Sequence, residues 1–346
     1  MTEKPSKIHQ ILPFFADIYG FCISLLLIIW LLTGERLFFS NIFVSLMPAI
    51  FYGIPFVLLF ALWRGRLRTG AFLILPIIGF LVLYAPAFVP RTVPTADGIE
   101  LSLLTYNLRA SNTNTAQLDT ILAETDADIV SLQEASSEIS DWVEVQWAEE
   151  YPYQIRFTVE DENPEYAGAL TLLVNDIAQY AGRLFLSRYP IDEYEIVPSS
   201  IQTTLYIRAE LDINGRNVTV YNIHLPPPLP VNIFSTNTRH EGLVDILQVA
   251  QSSETVILMG DFNMTDQSED YRLISSEYTD VFSTTSSGLG TTWANGNNLS
   301  PVLFFIPSLI RIDYMFVSDN IIPQFASVIR GGVSDHYPLY TEVVLD

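Results

Sequence analysis

The chain is 346 residues long and 49% hydrophobic, with 17 Lys+Arg against 39 Asp+Glu and a formal net charge of −22 at pH 7. The length admits two ordinary domains, the apolar content is high for a soluble protein, and the charge excludes the basic footprint by which duplex-binding proteins hold a polyanion. One cysteine, Cys22, excludes a disulfide within the chain.

The apolar excess sits in the first ninety residues. Ile11–Thr33, Ser40–Trp63 and Thr69–Val89 are each long enough to cross a bilayer and almost free of charge, Asp17 being the exception in the first. Three such runs exceed what a signal peptide explains, so residues 1–90 are read as a membrane domain of three transmembrane helices. Pro48, Pro55 and Pro76 fall inside them, where neighbouring helices can absorb the lost hydrogen bonds. Arg64, Arg66 and Arg68 crowd one loop and Lys4 and Lys7 precede the first run. By the positive-inside rule the N-terminus and the arginine loop are then cytoplasmic, and the chain after Val89 of this multi-pass cell-membrane protein lies outside.

A proline-punctuated linker, residues 91–98, leads into a domain spanning 99–346. After Arg91 the chain carries ten arginines and no lysine against 36 Asp+Glu. Such a region repels polyanions, and arginine is the cation suited to forked contact with phosphate. Short runs rich in apolar and β-branched residues, bounded by turn signals, predict strands at Ile99–Tyr106, Ile129–Gln133, Ala169–Val174, Arg183–Ser187, Thr204–Leu211, Val218–Ile223, Val256–Met259, Arg311–Val317 and Tyr340–Leu345. Asp212-Ile213-Asn214-Gly215 closes a hairpin, and Thr115–Thr125 and Arg239–Val249 have helical spacing. Many strands with few, separated helices predict an α+β domain of stacked mixed sheets with helices outside.

Several of these strands end in an oxygen or imidazole side chain. Asn107, Glu134 and His224 each follow one; Asp261 and Asn263 leave Val256–Met259 through Gly260; Asp313 lies within Arg311–Val317; Ser334-Asp335-His336 forms a turn near the C-terminus. Each alone reads as an ordinary turn or a satisfied polar group. Together they offer a chemistry. Asn107, Glu134 and Asp335 suit Mg²⁺ or Mn²⁺, which prefer hard oxygen donors, and no Cys–His cluster suggests zinc. His336 oriented by Asp313 makes an acid–base pair; Asp261 can polarise or deprotonate water; Asn263 and His224 can donate to phosphoryl oxygens. The product is metal-dependent hydrolysis of a phosphate ester.

Leu104-Thr105-Tyr106-Asn107, Ile129 to Glu134, Tyr221-Asn222-Ile223-His224-Leu225, Gly260-Asp261-Phe262-Asn263, Arg311-Ile312-Asp313-Tyr314 and Ser334-Asp335-His336 resemble, in order, the motif set of the endonuclease/exonuclease/phosphatase superfamily. The resemblance runs from about Ile99 to the C-terminus. It implies a four-layer αββα sandwich like that of deoxyribonuclease I, with the site at one rim of two sheets. It also implies Glu134 as principal metal ligand assisted by Asn107, Asp335 near the metal, Asp261 and Asn263 at the water and scissile phosphate, His224 on the phosphate, and His336 paired with Asp313. Arg239, Thr292 and Trp293 occupy places where relatives carry residues near the site, although a capping arginine and a core tryptophan are equally ordinary readings.

Departures bear on substrate. Glu134 is followed by Ala135 and Ser136 where some nuclease relatives carry arginine, and no long basic insertion is present. The apolar loops Pro226–Pro230 and Phe304–Ile306 either pack over the core or face a bilayer. The expected function is a membrane-anchored, Mg²⁺- or Mn²⁺-dependent phosphoesterase acting outside the cytoplasm on a small or lipid-borne phosphate ester. The alternatives are an extracytoplasmic nuclease, which the acidic balance disfavours, and a catalytically inactive membrane-tethered binding module, which the intact motif set disfavours.

Overall fold

The computed structural model describes residues 7–157, 182–198, 205–227, 235–295, 308–332 and 334–346. The expected strand Ala169–Val174, the loop from Pro228 to Pro230 and the segment Phe304–Ile306 lie outside the described residues. The chain divides into two compact units, residues 1–89 with 265–269 and residues 90–264 with 270–346.

The first unit contains α1 (Lys7–Thr33), α2 (Phe38–Phe51), α3 (Ile54–Trp63) and α4 (Leu67–Leu83). Here the expectation of three transmembrane helices is corrected. Among the described residues only Ile11–Thr33 is long and apolar enough to cross a membrane alone; α2 and α3 qualify only together, bent by 56°. The physical cause is local. Pro55 lies in the first turn of α3 and has no backbone N–H to donate to the Phe51 carbonyl four residues back, so the expected second span ends at Phe51 and restarts at Ile54. The third run stops at Leu83 and turns into a 3₁₀ segment, Ala85–Phe88, leaving 17 helical residues. At 1.5 Å per residue these reach roughly 26 Å, short of a hydrocarbon core of about 30 Å. Asp17, the one acid of α1, pairs with Arg66 at 3.2 Å and accepts from the Thr69 hydroxyl, so its charge is compensated.

The second unit is α+β and is built on two six-stranded sheets. The first sheet contains β1 (Ile99–Asn107), β2 (Ile129–Gln133), β3 (Tyr153–Phe157), β4 (Arg183–Ser187), β11 (Ile321–Val328) and β12 (Leu339–Leu345) in the order β11-β12-β1-β2-β4-β3. The second contains β5 (Ile191–Pro198), β6 (Leu205–Ile213), β7 (Arg216–His224), β8 (Val256–Asp261), β9 (Thr279–Asp280) and β10 (Asp313–Val317) in the order β5-β6-β7-β8-β10-β9. Each sheet is mixed, with one parallel pair at its centre: β1 with β2, and β7 with β8.

Strand alternation sorts the core into layers. Leu101, Leu103, Ile129 and Phe185 from one sheet meet Val218, Val220, Ile257, Met259 and Met315 from the other. The opposite face of the first sheet, through Leu104, Tyr106, Val130, Leu132, Leu184 and Leu186, buries α5 (Thr115–Thr125) and α6 (Ser137–Gln146). The opposite face of the second, through Tyr221, Ile223, Leu258 and Phe316, buries α7 (Ser235–Ala250) and Ile274 of α8 (Glu269–Ile274). The layers therefore run helix, sheet, sheet, helix. Strands covered on both faces read as the near-continuous apolar runs seen in the sequence. The edge strands β3, β5 and β11 are not evident from pattern, since they are half solvated and carry polar or proline residues such as Pro198 and Pro323.

Candidate active site

The inward-facing positions of the strands are apolar along most of their length and become polar at one rim. In β1 the inward series is Leu101, Leu103, Thr105, Asn107; in β2 it is Ile129, Ser131, Gln133; in β7 Val218, Val220, Asn222, His224; in β8 Ile257, Met259, Asp261; in β10 Val317, Met315, Asp313. Register aligns these ends. Asn107 pairs with Gln133 and Gln133 with Arg183, forming one cross-strand row. His224 pairs with Asp261 and Asp261 with Asp313, forming a second row in the other sheet.

Side-chain contacts bridge the rows. The Asn107 carboxamide donates to Glu134 Oε1 and to Asp261 Oδ2, each at 3.0 Å, joining residues 154 positions apart. Beneath it, Gln133 Nε2 donates to Thr105 Oγ1, Ser131 Oγ and Asn222 Oδ1 at 2.8–3.1 Å, and Asn222 Nδ2 donates to the carbonyls of Leu132 and Leu184. This buried network ties sheet to sheet with both amides satisfied.

Local backbone aims the carboxylates. β2 ends at Gln133, and Glu134 takes a left-handed φ of +52°, which turns its carboxylate back so that Oε2 accepts from the Ala110 amide at 3.1 Å. A non-glycine residue pays about 1 kcal/mol or more for that conformation. Gly260 has φ +149°, and a Cβ there would lie 1.9 Å from the Ile223 carbonyl oxygen, so only glycine allows β7 and β8 to close up before Asp261. Asn263, at φ +48°, donates its backbone amide to Asp261 Oδ1 at 2.9 Å and its carboxamide to Asp261 Oδ2 at 3.2 Å.

His336 Nδ1 lies 2.9 Å from Asp313 Oδ2, and its Nε2 lies 3.8 Å from Asp261 Oδ2. Burial by itself would lower the imidazole's pKa, but Asp313 and Asp261 outweigh it and raise His336 to about 10, so it is an imidazolium at neutral pH. His224 behaves oppositely. Burial, then the positive Arg183 and His336, push it well below 6.5, so its contacts at 3.6 Å to Asp261 and 3.7 Å to Glu134 are those of a neutral ring. Burial raises Asp261, with Asp313 adding to it and His336 opposing, which makes this carboxylate a stronger base than an exposed one.

The remaining expected site residues are placed as follows. Asp335 accepts from the Trp293 indole at 3.3 Å, and the neighbouring Ser334 hydroxyl docks on the Asn107 carbonyl at 2.6 Å. Thr292 is fully buried, and its hydroxyl accepts from the Ile312 and Asp313 amides, fixing the start of β10. Arg239 pairs with Asp270 at 2.7 Å and donates to the Asn263 carbonyl at 2.9 Å, so it braces the Asn263 turn.

Sequence reasoning missed Arg183. It is 2% exposed, on the face of β4 that points between the sheets, and Nη2 donates to the His224 carbonyl at 3.3 Å. The available signal was a lone cation on the inward phase of an otherwise apolar strand.

A divalent cation fits this donor set. Glu134, Asp261, Asp313 and Asp335 bring more negative charge than Arg183 and His336 offset, all in hard oxygens, and Asp313 Oδ1 is buried without a hydrogen-bond partner. Ligand atoms of Asp261, Asp313 and His336 lie within 4.8 Å of one another, and Glu134 reaches the same rim through the Asn107 carboxamide that it shares with Asp261. Asn107 holds Glu134 and Asp261 together through its NH₂ group, while its oxygen accepts from the Arg109 amide at 3.0 Å.

Residues 104–336 match the model of the endonuclease/exonuclease/phosphatase family. No curated protein matches the chain. Among solved structures, an endonuclease/exonuclease/phosphatase from Bacteroides vulgatus superposes with a TM-score of 0.57 at 16% identity, covering 72% of this chain and 100% of that one. TDP2 of D. rerio, humanized by 14 mutations, gives 0.53 at 19% identity, covering 70% and 98%. Sphingomyelinase C from Streptomyces griseocarneus gives 0.51 at 16% identity, covering 70% and 99%. At these identities the likeness is one of fold.

Proposed function

Because the chain belongs to the endonuclease/exonuclease/phosphatase family, we propose that it is a divalent-metal-dependent hydrolase of a phosphate ester, with a small or lipid-borne substrate. The observation that carries this reading is the convergence of Asn107, Glu134, His224, Asp261, Asp313 and His336 at one rim, through contacts of 2.9–3.8 Å between residues up to 154 positions apart.

Mg²⁺ or Mn²⁺, held by Glu134 with the neighbouring aspartates, would neutralise phosphate oxygens and ease departure of the leaving group. The protein's own groups divide the remaining work. Asp261, basic through burial and steadied by Asn107 and Asn263, takes the proton of the attacking water. His336, charged and oriented by Asp313, donates to the phosphoryl group as negative charge grows there. Neutral His224 supplies a further N–H. The tight packing of the rim sets all three in place before substrate arrives.

For substrate, the net charge of −22 favours a single phosphate over a nucleic acid. A sphingomyelinase among the structural neighbours agrees with a lipid-borne ester, whereas TDP2, seen elsewhere with a single-strand DNA product, keeps nuclease activity as the competing outcome. The apolar helix Ile11–Thr33 supports a membrane tether, with Lys4 and Lys7 on its cytoplasmic flank and the hydrolase outside.

The full chain in detergent should hydrolyse bis(p-nitrophenyl) phosphate or p-nitrophenyl phosphate with Mg²⁺ or Mn²⁺, lose turnover with EDTA, and lose it in Asp261→Ala. Phospholipid vesicles and plasmid DNA tested in parallel choose the substrate class. Turnover that survives both chelation and the substitution would refute the mechanism. Protease cleavage of the hydrolase in right-side-out vesicles supports the outward placement; protection there overturns it.

A further inference from the structure

Arg183 is a buried cation without a counter-ion. Two of its three guanidinium nitrogens, Nε and Nη1, have no hydrogen-bond partner, and the third meets only the His224 carbonyl. No carboxylate among the described residues lies within ion-pair distance of it, although Glu134 and Asp261 are close enough to act on its charge. Gly182 fixes its position. The Ala135 amide donates to the Gly182 carbonyl at 3.0 Å, and a Cβ on Gly182 would lie 1.9 Å from the Ala135 carbonyl oxygen, so the start of β4 is drawn against the chain just after Glu134.

Such an arrangement is costly for folding. An unpaired buried charge is among the most destabilising features a core can carry, and an apolar side chain of similar volume would serve packing better. The cost is recovered when an anion arrives. Arg183 stands in the cross-strand row of Asn107 and Gln133, on the face that looks toward His224, Asp261 and Asp313, with two unused donors. Guanidinium donors are the side-chain geometry best matched to a tetrahedral oxyanion.

We propose that Arg183 is a substrate-binding residue that receives a non-bridging oxygen of the phosphate group, bound in the same rim as the hydrolytic residues. This deepens the phosphoesterase reading and rests on it for the identity of the substrate; an oxyanion site in itself does not need turnover. The unpaired cation also gives a markedly acidic protein a local attractor for a single phosphate.

The test uses the full chain with Mg²⁺, inorganic phosphate as probe in calorimetry, a chromogenic ester for kinetics, and thermal unfolding. Arg183→Met should weaken phosphate binding roughly 10- to 100-fold, the span of one charge-assisted hydrogen-bonded contact, and raise KM in parallel, while the unfolding midpoint holds or rises. Arg183→Lys, which keeps the charge and loses the fork, should recover part of the affinity. Unchanged phosphate affinity in Arg183→Met, absence of phosphate binding by the wild type, or a midpoint that falls along with affinity would each overturn the proposal, the last by making Arg183 structural. If the chain binds phosphate through Arg183 but hydrolyses no ester, the anion site stands and the hydrolase reading fails. If it hydrolyses esters and Arg183→Met binds phosphate normally, the reverse holds.

Discussion

Asp313→Asn isolates the charge that controls His336. The substitution keeps the size of the side chain and a hydrogen-bonding group 2.9 Å from Nδ1, and removes only the negative charge. In the intact protein the carboxylates raise His336 from 6.5 to about 10 against the effect of burial. At 1.36 kcal/mol per unit this is about 5 kcal/mol in favour of the imidazolium. With Asp313 neutral, burial regains its hold, the His336 pKa falls, and Asp261 at 3.8 Å is left as the nearest anion. Two readouts follow. Because a raised pKa means stability that is full below 6.5 and fades as pH climbs through about 10, metal-free wild type should lose stability over that window and the variant should not. Turnover near neutral pH should drop roughly 10²- to 10⁴-fold, the usual share of one acid–base group. The chain has four histidines, so an NMR titration can follow each one. A His336 that still titrates in the alkaline range, or a variant that keeps wild-type turnover, would refute the dyad as the source of the proton.

Two further substitutions test the scaffold. Gly260→Ala should cost about 3 kcal/mol or more in urea unfolding, since its methyl group collides with the Ile223 carbonyl and breaks ladder bonds worth about 1 kcal/mol each while adding backbone strain; a midpoint equal to wild type would show that β7 and β8 can separate freely there. Asp270→Ala removes the acid that pairs with buried Arg239, and should destabilise by about 3 kcal/mol and lower kcat more than it raises KM, because Arg239 braces the Asn263 turn; unchanged kcat in a folded variant would detach that turn from catalysis.

Which parts of this arrangement could be read from sequence follows from how local each signal is. Asn107, Glu134, His224 and Asp261 close apolar strands at their ends, and a polar side chain ending an apolar run needs no tertiary knowledge to be noticed. Arg183 breaks the pattern too, but at the first residue of a short strand, where a solvated arginine is commonplace; its burial comes from the second sheet, which local sequence does not reveal. The bracing role of Arg239 was hidden similarly, since Asp270 is 31 residues away. Hydropathy overstated the N-terminal helices because it counts apolar residues and ignores where Gly53 and Pro55 break the chain. The helical and strand expectations at Thr115–Thr125 and Ile129–Gln133 coincide with α5 and β2, where Asn114 capping the Gln117 amide and β-branched residues reinforce the pattern.

The amide lock formed by Gln133 and Asn222 makes the candidate site depend on both sheets at once. Neither sheet owns the whole set of groups: one brings Asn107, Glu134 and Arg183, the other His224, Asp261 and Asp313, and the two are held to each other by two buried carboxamides. Under the proposed function, partial unfolding of either half would therefore remove the site as a whole.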